Sequence, residues 1–97
     1  PGFFFMEETQ WKIRVRGRVQ MVGYRWYAKQ YADMLGIRGY VRNVARGEVE
    51  IVAKAKEDDL NTFMDYLKQG PSRAQVDRVI KETCAATDDF AEFSIKL

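Results

Sequence analysis

Apolar and polar residues alternate from Trp11 to Arg16, with Trp11, Ile13 and Val15 on one side and Lys12, Arg14 and Arg16 on the other. That is the period of a half-buried strand. From Arg25 to Leu35 the period changes. Ala28, Tyr31, Ala32 and Leu35 recur at i, i+3, i+4 and i+7, one face of an amphipathic helix, and Gly36 follows where a helix end favours glycine. The pattern then predicts a second strand from Ile37 to Asn43, a short turn over Val44 to Gly47, and a third strand from Glu48 to Ala55. Val49, Ile51, Ala53 and Ala55 share one face of that third strand, and the tight connection makes the pair an antiparallel hairpin. Leu60, Phe63, Met64 and Leu67 mark a second helix, stopped by Gly70-Pro71. Glu57, Asp58 and Asp59 open it, where acids face the positive end of the helix dipole, so this cluster reads as a helix start and not as a metal site. Gln75 to Cys84 holds a fourth strand with poor alternation, Thr87-Asp88-Asp89 a turn, and Phe93, Ile95 and Leu97 alternate with Ser94 and Lys96 in a last strand.

The order is β-α-β-β-α-β with a terminal strand. It predicts an α+β, ferredoxin-like sandwich in which two helices cover one face of a mostly antiparallel sheet. This architecture hosts many unrelated activities, so function has to be read from particular residues.

A length of 97 residues allows one domain with a single modest core. Pro1 to Thr9 precede the first periodic segment, and Phe3, Phe4 and Phe5 beside Met6 read as a mobile or appended N-terminal segment, with Met6 as a natural start. The domain is expected over 10–97. No apolar run approaches the ~18–20 residues of a membrane span, which argues against a membrane partner. Cys84 is the only cysteine, so no intrachain disulfide forms. With no secretory signal visible, a cytoplasmic monomer is expected. The absence of histidine is more restrictive. It rules out Ser-His-Asp and Cys-His sites within one chain and makes a zinc site a poor fit, so neither metal nor cofactor is expected.

Charge is uneven. Residues 1–50 hold nine basic against five acidic side chains, residues 51–97 seven against nine, and seven of the first nine basic residues are arginines. Two readings stand: a solvated strand face, or a local field that draws in a small anion. The net charge of +2 is too small to argue for nucleic acid. Aromatics at Tyr24, Trp26, Tyr27, Tyr31 and Tyr40 fall largely on the first helix, and no RNA-recognition strand motif is present.

Chemistry concentrates between Gly17 and Arg25, the turn from first strand to first helix. It carries two glycines, two arginines and no acid. Free N–H groups at a helix start form a cradle for a phosphate-sized anion, offered here by Gly17, Arg18, Val19, Gln20, Met21, Val22, Gly23 and Tyr24. Gly17 and Gly23 also read as ordinary turn glycines, and Arg16 and Arg18 as solvated cations. Arg25 can bind two phosphate oxygens at once. A cation in a first helical turn costs ~0.3–1 kcal/mol against the dipole, which invites a functional reason. This is not a Walker A loop, since no Gly-Lys-Ser/Thr follows. Asn43 ends the second strand. Its carboxamide can donate and accept at once, but asparagine also commonly closes strands by bonding its own backbone.

The stretch Gly17-Arg18-Val19-Gln20-Met21-Val22-Gly23-Tyr24-Arg25 resembles the signature loop of the acylphosphatases, and Gly39-Tyr40-Val41-Arg42-Asn43, with Gly47 and Val49, resembles that family's second signature. The resemblance spans Trp11 to Leu97 in length and element order. It implies the same ferredoxin-like fold, places the family's phosphate-binding catalytic arginine on Arg25, and places its catalytic, water-orienting asparagine on Asn43. It further implies a small-molecule acyl phosphate as substrate, inorganic phosphate as product and competitive inhibitor, and in-line attack of water on phosphorus without metal or cofactor. The chemistry suits a chain without histidine. The leaving carboxylate has a conjugate acid of pKa about 4 and departs without a proton from the enzyme. Two positions depart from the pattern: Met21 and Ala55 both stand where the family has glycine. If the loop needs φ > 0 at position 21, methionine carries strain there and its side chain crowds the cradle. The alternative reading is therefore a non-catalytic anion-binding module weakened by Met21.

Overall fold

The computed structural model describes residues 7–86 and 88–97. In chain order it contains β1 (Thr9–Arg18), α1 (Tyr24–Leu35), β2 (Arg38–Asn43), β3 (Glu48–Ala55), α2 (Glu57–Gln69), β4 (Gln75–Cys84) and β5 (Phe93–Lys96). The run Phe3–Phe5 with Met6, and Thr87 of the expected turn, lie outside the described residues. The five strands form one sheet in the order β4-β1-β3-β2-β5. All pairings are antiparallel except β2 with β5. The architecture is the ferredoxin-like sandwich that the pattern predicts. β3 and β4 have the expected bounds, α1 starts one residue earlier, and β2 one later. Leu97 does not continue the last strand inward; it lies past β5 and is fully exposed.

Register explains the core. Ile13 lies opposite Ile51 and Val15 opposite Val49, so the inward residues of the two central strands meet on the face that the helices cover. Leu60, Phe63, Met64 and Leu67 of α2 pack there, and Ala28 and Ala32 present the smallest side chains of α1 to it. Tyr31 is only half-buried and instead stacks on Tyr66 of α2, with ring centroids 3.9 Å apart. α1 ends as predicted. Gly36 takes φ 70°, a region open to glycine, and the N–H of Ile37 bonds the carbonyl of Ala32 at 2.8 Å. Among the described residues no helix is long and apolar enough to cross a membrane.

The opposite face corrects both readings for Arg14 and Arg16 of β1. Glu48 and Glu50 are buried there, at 7% and 1% exposure. Arg14 donates to Glu48 and, at 3.1 Å, to Glu50; the Arg16 Nε donates to Glu48 at 2.9 Å, and the Arg42 Nε to Glu50 at 2.7 Å. Lys12 approaches Glu50 at 3.6 Å. These cations are neither simply solvated nor free to attract an anion; they compensate two carboxylates that β3 places under them.

The ladder has a pH signature. Hydrogen bonds from Arg16 and Arg14 hold Glu48 below the ordinary glutamate value of 4.5. For Glu50, burial pushes the pKa up, but Arg42, Lys12 and Arg14 outweigh it and the net direction is down. The unfolded chain therefore binds these protons first as pH falls. Their contribution to stability is complete above the unfolded value and is lost as pH drops through the folded ones. Urea midpoints are expected to fall below about pH 4.5. Glu50→Gln is expected to cost about 2 kcal/mol at pH 7, since it leaves Lys12 and Arg42 without their carboxylate and Arg14 with Glu48 alone, and to flatten the acid dependence. An unchanged acid limb in Glu50→Gln would remove the ladder as its cause.

Candidate active site

The site forms where β1 hands over to α1. α1 begins at Tyr24, and its N-cap residue Gly23 is left-handed at φ 77° with no side-chain cap among the described residues. Its first helical bond runs from the N–H of Tyr27 to the carbonyl of Gly23 at 3.0 Å. Helix geometry leaves the N–H groups before Tyr27 without intrahelical acceptors. The two helices differ in their first turns. Glu57, Asp58 and Asp59 meet the dipole of α2, while α1 has no acid there and carries Arg25. The positive end of α1 is thus met by no acid of its own first turn.

Three side chains hold the turn in place. Tyr24 is buried, and its hydroxyl donates to the carbonyl of Leu67 at 2.7 Å, which pins the helix start to α2. Burial raises its pKa far above that of a free phenol, so it stays protonated and keeps this bond. Val19 is buried in the core. The Gln20 amide donates to the carbonyls of Ala45 and, at 3.0 Å, Glu48, tying the loop to the β2–β3 turn. Gln20 thus has a side-chain task that the sequence reading, which assigned it a backbone role, does not contain.

Gly17 is corrected. It lies within β1, and its N–H donates to the carbonyl of Gly47 at 3.1 Å, so it has none to offer a phosphate. Its glycine character answers a packing demand. At φ 137°, a Cβ there would stand 2.1 Å from the carbonyl oxygen of Gln75 on β4, where the ladder shifts register. Arg18 ends β1, exposed and paired in register with Gln75. Arg16, bonded to Glu48, is likewise turned to other work.

Val19, Met21, Gly23 and Tyr24 instead line an open cleft. Arg25 and Asn43 line it too, as do Trp26 and Ile95. Gly17, Arg18, Gln20 and Val22 are not among its lining residues. One Arg25 nitrogen donates to the carbonyl of Lys96 at 2.9 Å, at the end of β5. That strand runs parallel to β2 with Ile95 opposite Val41 and Lys96 opposite Arg42, so the Arg25 anchor arrives beside Asn43. The Asn43 Oδ1 is buried and has no hydrogen-bond partner among the described residues. An unmet buried acceptor is costly unless water or ligand satisfies it. It does not close the strand on its own backbone, as asparagine often does.

Trp26 and Ile95 escaped the sequence reading. Trp26 left one trace, as an aromatic out of phase with the apolar stripe of α1; the parallel β2–β5 pairing that brings Ile95 to the cleft has no local signature.

Met21 adopts φ 61°, the left-handed conformation feared for it, but its side chain is 97% exposed and stands at the mouth of the cleft instead of filling it. Met21→Gly is expected to raise stability by ~1 kcal/mol, the relief of that strain less the added freedom of the unfolded chain. A urea curve checks this, and an unchanged or lower midpoint would show that the strain at Met21 does not exceed the entropic cost of glycine.

Residues 11–95 match the family model for acylphosphatase. The chain is 42% identical over 86 residues to an acylphosphatase of Caldivirga maquilingensis, covering 88% of this chain and 90% of that relative. It is 40% identical over 88 residues to an acylphosphatase of Marinobacter nauticus, covering 91% and 96%. The crystal structure of acylphosphatase from Bacillus subtilis aligns with a TM-score of 0.88 at 32% identity, over 92% of this chain and 99% of that one.

Proposed function

The chain belongs to the acylphosphatase family and hydrolyses acyl phosphates, and we propose that the cleft between the 19–23 loop, α1, Asn43 of β2 and Ile95 of β5 is where it does so. Free N–H groups at the start of α1 and the Arg25 guanidinium hold the phosphoryl oxygens, and Asn43 places the attacking water. The carrying observation is that Arg25 and Asn43 line one cleft at an uncapped helix start, with the Asn43 acceptor unmet among the described residues.

The chemistry follows from those groups. Water attacks phosphorus in line, and the P–O bond to the acyl oxygen breaks with its electron pair leaving on the carboxylate. The water loses its proton to solvent or to the phosphate formed. A phosphoryl transition state needs its equatorial oxygens held and its nucleophile aligned. Arg25 can supply the first because only one of its nitrogens is engaged by Lys96. The Asn43 carboxamide supplies the second by accepting from the water. No protonated leaving group is required, so the reaction needs no histidine. No observation favours the non-catalytic alternative, since the side chain of Met21 is turned out to solvent.

The test is hydrolysis of benzoyl phosphate, followed by its ultraviolet absorbance in the presence of chelator. Turnover that chelator leaves intact and inorganic phosphate inhibits competitively is the expected result. Absence of turnover by the folded protein would overturn the reading.

A further inference from the structure

Two large apolar side chains stand in water at the mouth of the cleft: Met21 is 97% exposed and Trp26 58%. Neither belongs to the core. Trp26 lies off the apolar stripe of α1, and Met21 holds a left-handed backbone that methionine adopts only at a cost. Val19 and Ile95 continue the apolar lining inward. A phosphoryl group gains nothing from such surface, because its oxygens need donors. The acyl group bonded to it does gain, and with phosphorus held at Arg25 that group has to lie across the mouth.

We propose that Met21 and Trp26 form an acyl-binding rim that makes this enzyme prefer acyl phosphates with large apolar acyl groups over acetyl phosphate. The inference rests on the reading of Arg25 and Asn43 as the phosphoryl site. Methionine is unbranched and adapts its shape, whereas the indole offers a flat rigid surface, so the rim selects for apolar size more than for outline. Each methylene that the rim covers is worth up to about fourfold in kcat/KM, and less where one side stays wet.

The experiment measures kcat/KM for acetyl, butyryl, hexanoyl and benzoyl phosphate in the wild type, Trp26→Ala and Met21→Asn. Asparagine tolerates the left-handed backbone and removes only the apolar surface. Inorganic phosphate, which has no acyl group, is measured as an inhibitor alongside. The wild type is expected to favour hexanoyl over acetyl phosphate by at least about tenfold, and each variant to reduce that ratio by roughly threefold or more. The Ki for phosphate in Trp26→Ala is expected to stay within about twofold of wild type. A flat series in the wild type, or a ratio that both variants preserve, overturns the rim and leaves the phosphoryl site standing. A phosphate Ki that worsens as much as the ratio falls overturns it too, because the whole cleft has then loosened. Failure of the wild type to hydrolyse any of the four overturns the phosphoryl-site reading, and the rim with it.

Discussion

Arg25→Ala is expected to lower kcat/KM for benzoyl phosphate by about a thousandfold while leaving the protein folded. The magnitude is that of one preorganised group facing the charge of the transition state in a partly enclosed site. Arg25 is preorganised from two directions: α1 fixes its backbone, and the Lys96 carbonyl takes up one nitrogen at 2.9 Å. The rest of the planar fork stays available for two phosphoryl oxygens. Arg25→Lys keeps the charge without the fork and is expected to recover about tenfold of the loss. Stability separates this from mere damage. Removing a cation from a helix start relieves an unfavourable dipole contact and gives up one exposed hydrogen bond, so the urea midpoint is expected to shift by less than about 0.5 kcal/mol. If Arg25 holds phosphate in ground and transition states alike, as proposed, the phosphate Ki rises together with KM. Wild-type turnover by folded Arg25→Ala would remove Arg25 from the chemistry.

What could be read in advance followed from locality. The strand and helix periods of β1, α1, β3 and α2 are short-range patterns, and each reports which side of its element meets the core. The turn from Gly17 to Arg25 was legible because one short segment holds its glycines, its arginines and its lack of acids. What could not be read depends on register. Arg14 and Arg16 look like free cations along β1, and only the pairing of Arg14 with Glu50 and Arg16 with Glu48 across the β1–β3 ladder makes them partners of buried carboxylates. Gly17 looked like a cradle glycine, and its role came from the backbone of β4, nearly sixty residues away in the chain. The Arg25 anchor is a carbonyl and carries no residue identity at all, so no side-chain pattern announces Lys96. Met21 shows the converse. Its strain was foreseeable from the loop, but its exposure at the edge of the cleft was not.

Asn43→Ala is expected to lower kcat by 10²–10³-fold with KM and the phosphate Ki changed by less than about threefold. The asymmetry with Arg25 is the substance of the prediction. In the proposed roles Arg25 serves the phosphoryl oxygens, so its loss weakens substrate, product and transition state together, and Asn43 serves the nucleophile. The interaction it contributes is realised as the water closes on phosphorus, and bound phosphate alone does not report on it. Stability is again expected not to fall with activity. The Asn43 Oδ1 is buried without a partner among the described residues, so its removal relieves a desolvated acceptor. The folded state is expected to hold its stability or gain up to ~1 kcal/mol. Lost turnover with stability kept would assign Asn43 to the chemistry of the cleft it shares with Arg25 and not to the fold. If kcat stays near wild type while KM and Ki rise together, Asn43 binds phosphate instead, and the attacking water has to be placed by the backbone of the 19–25 loop.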